Sequence, residues 1–267
     1  TTEGVYRSYD AGGNWVQVYA AQMVTDLEIN RIDTSTIFAG IGNLSSPSPG
    51  LYRSTDSGLN WAKLTEGLPG SANDGRITVS SYYSNPFIIF AVFGNRNSTV
   101  GVYRSDDNGN NWVQTSGVSP DFLDDQGWYA NGIKVKDTDS SKLLFSGVGF
   151  YKSTNYGADI VKKSSNTSGD SNYIHVDHHD IISNPKNPDK VYISTDGGLY
   201  RSNDFGETFF RCQNGYVTTQ FYSTLANSKT DSVMILGGVQ DNGVVRFGGT
   251  TNWYRSASGD GMMCFIN

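Results

Sequence analysis

One sequence pattern recurs at a nearly constant spacing along most of this chain, and it restricts the fold more than any other feature. In its best copies the pattern is Tyr-Arg-Ser-x-Asp-x-Gly-x-x-Trp. Five copies span Gly4–Trp15, Gly50–Trp61, Gly101–Trp112, Gly149–Ile160 and Gly198–Phe209, and a decayed sixth spans Gly243–Trp253. The serines of the five copies lie 46, 51, 48 and 49 residues apart. Such a period is typical of one four-stranded β-propeller blade.

The predicted fold class is therefore all-β, a β-propeller of four-stranded blades with about five full blades and one split or incomplete blade. Short apolar or alternating runs, bounded by Gly, Asn, Pro and Ser, supply the strands between the repeats. Gly4–Trp15 supplies only a third and a fourth strand, and Gly261–Asn267 only a first. Because this arrangement leaves unpaired strand edges, we expect residues 1–267 to form a single propeller that is a fragment of a longer protein, with further domains of that chain as partners.

The repeated residues themselves are predicted to be structural. An Asp in a tight hairpin accepts backbone N–H bonds, Gly supplies a position with positive φ, and the Trp begins the next strand and packs between sheets. The function is therefore expected to depend on residues that interrupt the repeat.

Charge and hydropathy exclude two classes of partner. The net charge of −6 offers no basic face for a nucleic acid or an anionic membrane. No stretch of 18 apolar residues is present, so no membrane insertion is expected. The two cysteines, Cys212 and Cys264, are expected on an outer and an inner strand as buried thiols that form no disulfide.

Polar and aromatic residues outside the repeat collect in loops expected at one end of the blades, around the central channel. Asp-Gly and Asp-Asn-Gly sequences there are also good turn formers, so a purely structural role stays open. The candidate catalytic residues are Asp196, Asp241 and Asp260, and the candidate ligand-binding residues are Trp128, Tyr129, Gln240 and Asn242.

All three histidines of the chain fall in one segment, His175–Asp180. His175, Asp177 and His179 alternate and could hold a divalent cation, since imidazole and carboxylate suit zinc or a similar ion. The same residues could instead supply acid–base chemistry near neutral pH, or form a hydrogen-bonded lock between blades. No other cofactor is predicted.

The repeat resembles the Asp-box, or BNR repeat, of sialidases, sortilin-type receptors and xyloglucanase-like propellers. The segments His175–Phe209 and Gly238–Gly243, with their His-x-Asp-His-His and Gly-x-Gln-Asp-Asn-Gly sequences, resemble the large secreted propeller proteins of Bacteroidetes-type bacteria. That resemblance implies a bacterial, extracellular protein, secreted or held at the cell surface, and often exported by the type IX route.

Sialidases need three arginines that converge on a substrate carboxylate. Here four arginines occupy the same repeated structural position, namely Arg7, Arg53, Arg104 and Arg201, and only Arg76 precedes an inner strand on the candidate face. Sialidase activity is therefore not expected. Xyloglucanase-like hydrolases use paired Asp residues, and Asp196 resembles one of them, with Asp241 or Asp260 as the candidate partner. The first hypothesis is a non-catalytic binding or adhesion module for a glycan or a surface protein. The alternatives are a polysaccharide-degrading hydrolase or lyase, and a structural segment of a large surface or secretion-associated assembly.

Overall fold

The computed structural model describes every residue of the chain except 44, 71–73, 118, 168, 213, 216–218, 223–224, 232 and 267. These residues form two compact units, one of residues 1–195 and 199–211 and one of residues 196–198 and 212–267. In the described part of the chain every regular element is a β-strand, and no helix could cross a membrane. The all-β class is confirmed, and the organisation as a single propeller stays a prediction.

The larger unit begins with a sheet of only two strands, β1 (Gly4–Arg7) and β2 (Val16–Ala20). Each later sheet has four strands in sequence order, as the fold prediction requires. The next three sheets are formed by β3 (Val24–Ile29), β4 (Ile37–Ile41), β5 (Gly50–Ser54) and β6 (Ala62–Lys63), then β7 (Ile77–Ser81), β8 (Ile89–Gly94), β9 (Thr99–Ser105) and β10 (Val113–Ser116), then β11 (Gly132–Lys136), β12 (Asp139–Ser146), β13 (Phe150–Ser153) and β14 (Val161–Lys162).

Two further four-stranded sheets complete the set of five full blades that the repeat predicts. They contain β15 (His178–Asn184), β16 (Asn187–Thr195), β17 (Gly198–Ser202) and β18 (Phe210–Arg211), then β19 (Ala226–Asn227), β20 (Met234–Val239), β21 (Gly243–Gly248) and β22 (Trp253–Ala257). The two-stranded sheet of β1 and β2 is the incomplete blade.

Four details differ from the sequence prediction. The Trp of the first three repeats immediately precedes the outer strand, as Trp112 precedes β10, whereas Trp253 of the decayed copy begins β22 as predicted. The first strand of the last sheet is the short Ala226–Asn227, and Phe221 forms only an isolated bridge with Val239. Residues 261–266 lie outside any strand, and Asn267 falls outside the described residues. Both cysteines are described and half-buried, and no disulfide joins them, but neither lies in a strand.

The repeated hairpin between the third and fourth strands is held by one serine and one carboxylate. In the third copy the Ser105 hydroxyl donates to Asp107 Oδ1 at 2.8 Å and accepts the Gly109 amide at 2.9 Å. Asp107 Oδ1 also accepts the amides of Asn110 and Asn111 at 3.0 and 2.9 Å. Bonds from the Asn111 side chain and amide are the largest cause that lowers the pKa of Asp107 to about 2. The repeated Ser and Asp are thus structural in the described hairpins.

Apolar side chains fill the spaces between neighbouring sheets of the larger unit. Phe38 and Leu51 of one blade pack with Ile77, Phe93 and Trp112 around the next, and all are buried. Equivalent clusters lie between the other successive sheets of this unit. The blades therefore pack face to face, which leaves the inner edges of their first strands to line a shared space.

Replacing Asp107 by Ala should lower the free energy of unfolding by about 1–3 kcal/mol, because two amides and a hydroxyl lose their acceptor. Asp107→Asn should cost less, since in the fourth hairpin Asn155 Oδ1 still accepts the Ser153 hydroxyl and the Asp159 amide, both at 2.9 Å. Urea denaturation measures both values. Asp106→Ala is the control, because exposed Asp106 pairs only with Arg104 and such pairs contribute less than about 1 kcal/mol. Equal losses for the Asp106 and Asp107 variants would contradict the role of this hairpin.

Candidate functional site

The first strands of four blades in the larger unit, β3, β7, β11 and β15, enclose a cavity of about 510 Å³. Its walls carry more polar than apolar surface, although the sheets behind them are apolar. The ionisable residues that line it are Asp26, Glu28, Arg31, Arg76, Lys134, Asp137, His179 and Asp180. A concave space with a few convergent charged groups is the expected form of a ligand site.

The polar lining has a structural cause at the inner edge of each blade. The first strand of an antiparallel blade has no hydrogen-bonded neighbour on its channel side, so its outward amides need other acceptors. Asp26 Oδ2 of β3 accepts the Val79 amide of β7 at 2.7 Å, and Glu28 Oε1 accepts the Ser81 amide at 3.0 Å. Ser80 Oγ of β7 accepts the Val135 amide of β11 at 3.2 Å. Side chains of one inner strand thus accept hydrogen bonds from the unpaired amides of the next inner strand.

Asp26 is the most perturbed acid of this cavity. Burial raises its pKa to about 7, and the negative charges of Glu28 and Asp180 add to the increase. The hydrogen bonds from the amides of Val79 and Leu27 act in the opposite direction but are outweighed. Near neutral pH this carboxyl therefore exchanges a proton with its surroundings, which is a property of many functional sites.

An aromatic cluster lies beside one end of the cavity, where the inner strands begin. The ring centroids of Trp128 and Tyr129 are 5.2 Å apart, and Tyr129 meets His179 edge to face at 4.9 Å. The Trp128 carbonyl oxygen accepts a bond from Arg76 Nε at 3.2 Å and one from Asn43 Nδ2 at 2.7 Å. We call this end of the cavity the mouth. Because neighbouring strands are antiparallel, the mouth and the repeated hairpins lie at opposite ends of each blade. We call Arg76, Trp128, Tyr129 and His179 the mouth cluster.

The sequence prediction placed Trp128, Tyr129 and His179 at one end of the blades, and the structure brings these three together. The rest of the histidine segment makes other contacts. His178 is buried, its Nδ1 lies 2.8 Å from the Gly147 carbonyl oxygen, and His175 Nδ1 lies 3.1 Å from the carbonyl oxygen of Val176. Among the described residues no three His, Cys, Asp or Glu side chains are grouped to hold a metal ion. The cation site at His175, Asp177 and His179 stays a prediction.

The remaining predicted residues belong to the smaller unit. The Asp241 amide donates to Asp260 Oδ1 at 2.9 Å, so two of the three candidate acids are neighbours. Asn242 Nδ2 donates to the Gln240 carbonyl oxygen at 3.1 Å, within the same turn. These bonds fit the structural alternative, in which the acids shape turns. Asp196 lies in the turn between β16 and β17, and its predicted catalytic role stays a prediction.

Sequence reasoning missed the acids inside the cavity. Asp26 and Glu28 lie in β3, whose sequence is Val-Thr-Asp-Leu-Glu-Ile, and neither acid was among the candidate site residues. Two acids on one side of an otherwise apolar strand were an available signal, because a buried charge needs partners. Arg76 was noted as preceding an inner strand, but its contact with Trp128 depends on the packing of two blades.

Comparisons with known proteins show the fold alone. No family model and no curated protein matches this sequence. The GH74 enzyme of Niastella koreensis is 18% identical with a TM-score of 0.57, over 87% of this chain and 36% of that chain. The GH74 xyloglucanase of Xanthomonas campestris is 18% identical with a TM-score of 0.56, over 90% of this chain and 39% of that chain. The extracellular domain of BT4673 from B. thetaiotaomicron is 14% identical with a TM-score of 0.52, over 96% of this chain and 33% of that chain. The chain spans less than two-fifths of each of these structures.

The raised pKa of Asp26 predicts a particular pH dependence of stability. Between about pH 4 and pH 7 the folded chain holds a proton on Asp26 that the unfolded chain has lost, so stability falls as the pH rises through this window. Asp26→Asn should reduce the difference in unfolding free energy between pH 5 and pH 8 by up to about 2.7 kcal/mol, since two pH units of this interval lie below the folded pKa. Urea denaturation at both pH values measures this difference.

The control for this experiment is Asp33→Asn. Hydrogen bonds from Ser35 and Thr36 lower the pKa of Asp33, so that it titrates below the window. The Asp33 variant should keep the wild-type pH dependence. An Asp26 variant with an unchanged pH dependence would show that this carboxyl does not titrate near neutrality.

Proposed function

We propose that this chain is a non-catalytic carbohydrate-binding module of a secreted or cell-surface bacterial protein. The observation that carries the proposal is the pair of rings, Trp128 and Tyr129, at the mouth of a polar cavity. Trp128 is 39% exposed, although it is held by its carbonyl oxygen to Arg76 and Asn43. A large aromatic surface that is fixed in place and still open to solvent is suited to a ligand.

The chemistry of the mouth suits a sugar more than an apolar ligand. Aromatic rings contact the C–H faces of a sugar ring, while hydroxyls need polar partners at its edge. Arg76 and His179 supply such partners beside the two rings, and both line the cavity. Asn131 lies behind them and bonds to the Arg76 carbonyl oxygen at 2.9 Å, which fixes the backbone of this arginine.

The resemblances support the same proposal. The Asp-box interpretation fits the five Ser-centred hairpins, and the resemblance to secreted Bacteroidetes-type propellers supports an extracellular location and export by the type IX route. Among the similar folds are an extracellular domain and two GH74 enzymes, one of them a xyloglucanase. On this proposal the partner is a glycan, and further domains of a longer chain would place the module at its target.

Trp128→Ala should weaken glycan binding at least tenfold, because the stacking surface is lost. A glycan array identifies a ligand, and isothermal titration calorimetry measures its affinity. Trp15→Ala is the matched control, since Trp15 is 62% exposed but follows a repeated hairpin at the opposite end of its blade. If the two variants bound equally, the mouth would not be the site. A wild-type protein that bound no glycan would favour the hypothesis of a structural segment.

A second candidate function rests on Asp26. A glycoside hydrolase needs one carboxylic acid that is protonated near neutral pH and a second carboxylate close by. Asp26 has a pKa of about 7 and shares its cavity with Glu28 and Asp180. Against this role, both oxygens of Asp26 accept backbone amides, and Glu28 is held by the amide and hydroxyl of Ser81. We therefore rank binding first.

Incubation with plant and bacterial polysaccharides should release no new reducing ends or unsaturated products. A reducing-end assay, with ultraviolet detection of unsaturated sugars, measures this. Products that disappeared in Asp26→Asn would replace binding by catalysis in the cavity. Products that disappeared in Asp196→Asn, Asp241→Asn or Asp260→Asn would instead place the reaction in the smaller unit.

A further inference from the structure

Arg76 has an unusually well-fixed backbone at the mouth of the cavity. Its amide donates to the Gly127 carbonyl oxygen at 2.8 Å, and its own carbonyl oxygen accepts the Gly94 amide at 3.0 Å and Asn131 Nδ2 at 2.9 Å. The side chain is fixed as well, because Nε donates to the Trp128 carbonyl oxygen at 3.2 Å. The guanidinium that carries Nη1 and Nη2 is therefore held in position by the backbone of Arg76 and by its Nε bond.

Three arginines of the repeats use their terminal nitrogens for bonds within the protein. Arg7 Nη1 donates to the Ser57 carbonyl oxygen at 2.9 Å, and Arg53 Nη1 donates to the Asn108 carbonyl oxygen at 2.6 Å. Arg104 pairs with Asp106 at 2.7 Å. For Arg76 only the Nε bond is made, and no carboxylate of the described residues lies within ion-pair distance of it.

Arg76 is partly buried and makes no ion pair with a described carboxylate, although Tyr129 and Asp26 interact with it electrostatically. Burial lowers the pKa of Arg76, the direction expected when a cation loses water, but a guanidinium remains charged at neutral pH. The nearby acids are already committed to other donors. Asp26 and Glu28 accept amides of β7, Asp180 Oδ1 accepts the Ile181 amide at 2.8 Å, and Asp137 pairs with Lys134 at 2.9 Å. An anionic ligand at the mouth would therefore supply the ion pair that Arg76 does not make with any described carboxylate.

We propose that the mouth cluster binds the carboxylate of a uronic acid residue, with Arg76 Nη1 and Nη2 holding the two carboxylate oxygens and Trp128 stacking on the sugar ring. The ligand class is then an acidic polysaccharide. This inference rests on the proposed function, because it names the kind of sugar that the same mouth takes.

The carboxylate is favoured over a neutral sugar because of the two free nitrogens of Arg76. A planar guanidinium matches a carboxylate with two parallel hydrogen bonds, and such charge-assisted pairs are about twice as strong as neutral ones. A hydroxyl would leave the charge of Arg76 partly buried without a counter-ion. Burial raises the pKa of Asp26 to about 7, which reduces the repulsion of an incoming anion by this carboxyl near neutral pH.

The first test compares two forms of one ligand and needs no variant. Isothermal titration calorimetry at low ionic strength is run with short oligogalacturonates, oligomannuronates and oligoglucuronates, each as the free acid and as the methyl ester. At least one free acid should bind the wild-type chain about tenfold more tightly than its ester. Equal affinities for all three pairs overturn the inference, as does a sulfated glycan that alone binds in an Arg76-dependent way.

The second test assigns the preference to Arg76. Arg76→Gln should bind acid and ester equally, and Arg76→Lys should recover only part of the preference, because an ammonium lacks the planar fork. Arg31→Gln is the matched control, since Arg31 lines the same cavity but lies over the Tyr83 ring at 5.0 Å. Thermal unfolding checks that each variant is folded. A loss of preference in the Arg31 variant as large as in Arg76→Gln overturns the assignment.

The two proposals fail in different ways. If esters and neutral glycans bind through Trp128 with no gain for the free acid, the uronate inference is wrong and the carbohydrate-binding function stands. If no carbohydrate binds in any form, the proposed function is wrong, and the inference falls with it.

Discussion

The structure of the larger unit depends on how the free inner edge of each blade is satisfied. A blade of four antiparallel strands pairs every strand but leaves the channel side of its first strand open. In this chain Asp26, Glu28 and Ser80 supply the missing acceptors from the neighbouring inner strand. Sheet-to-sheet packing is apolar, but the contact between inner edges is polar. The cavity is therefore polar because of the way the blades are joined.

The need for side-chain acceptors at the inner edges determines the chemistry of the site. A carboxylate that accepts amides from the next blade must lie between two sheets, where water is scarce and other such acids are close. The raised pKa of Asp26 is the direct result, with burial as its main cause. Because these acids are occupied by backbone amides, they are poor metal ligands and poor catalytic bases. Two groups that we propose to bind a ligand, the Arg76 terminal nitrogens and the exposed ring of Trp128, do not accept amides from a neighbouring inner strand.

The sequence predicted the blades well and the cavity poorly, for a physical reason. The hairpin is a local structure whose bonds join residues two to four positions apart, so Ser105, Asp107 and Gly109 are recognisable in the sequence. The inner-edge bonds join residues 53 to 55 positions apart, from Asp26 to Val79 and from Ser80 to Val135. Their partners alternate with apolar residues in ordinary strands. The mouth was predicted in part, since Trp128, Tyr129 and His179 interrupt the repeat.

The contrast between the local hairpins and the long-range contacts of the cavity also explains why the repeat says little about function. A hairpin that is repeated in every blade cannot distinguish one blade from another, and it lies at the end of the blade opposite the mouth. The proposed binding groups come from segments that differ between blades: Arg76 precedes β7, Trp128 and Tyr129 precede β11, and His179 lies at the start of β15. Because each blade contributes a different side chain to one mouth, ligand choice can change without loss of the hairpins. The recognition of a carboxylate would then depend on one arginine outside the repeat, placed by a tryptophan carbonyl from the next blade.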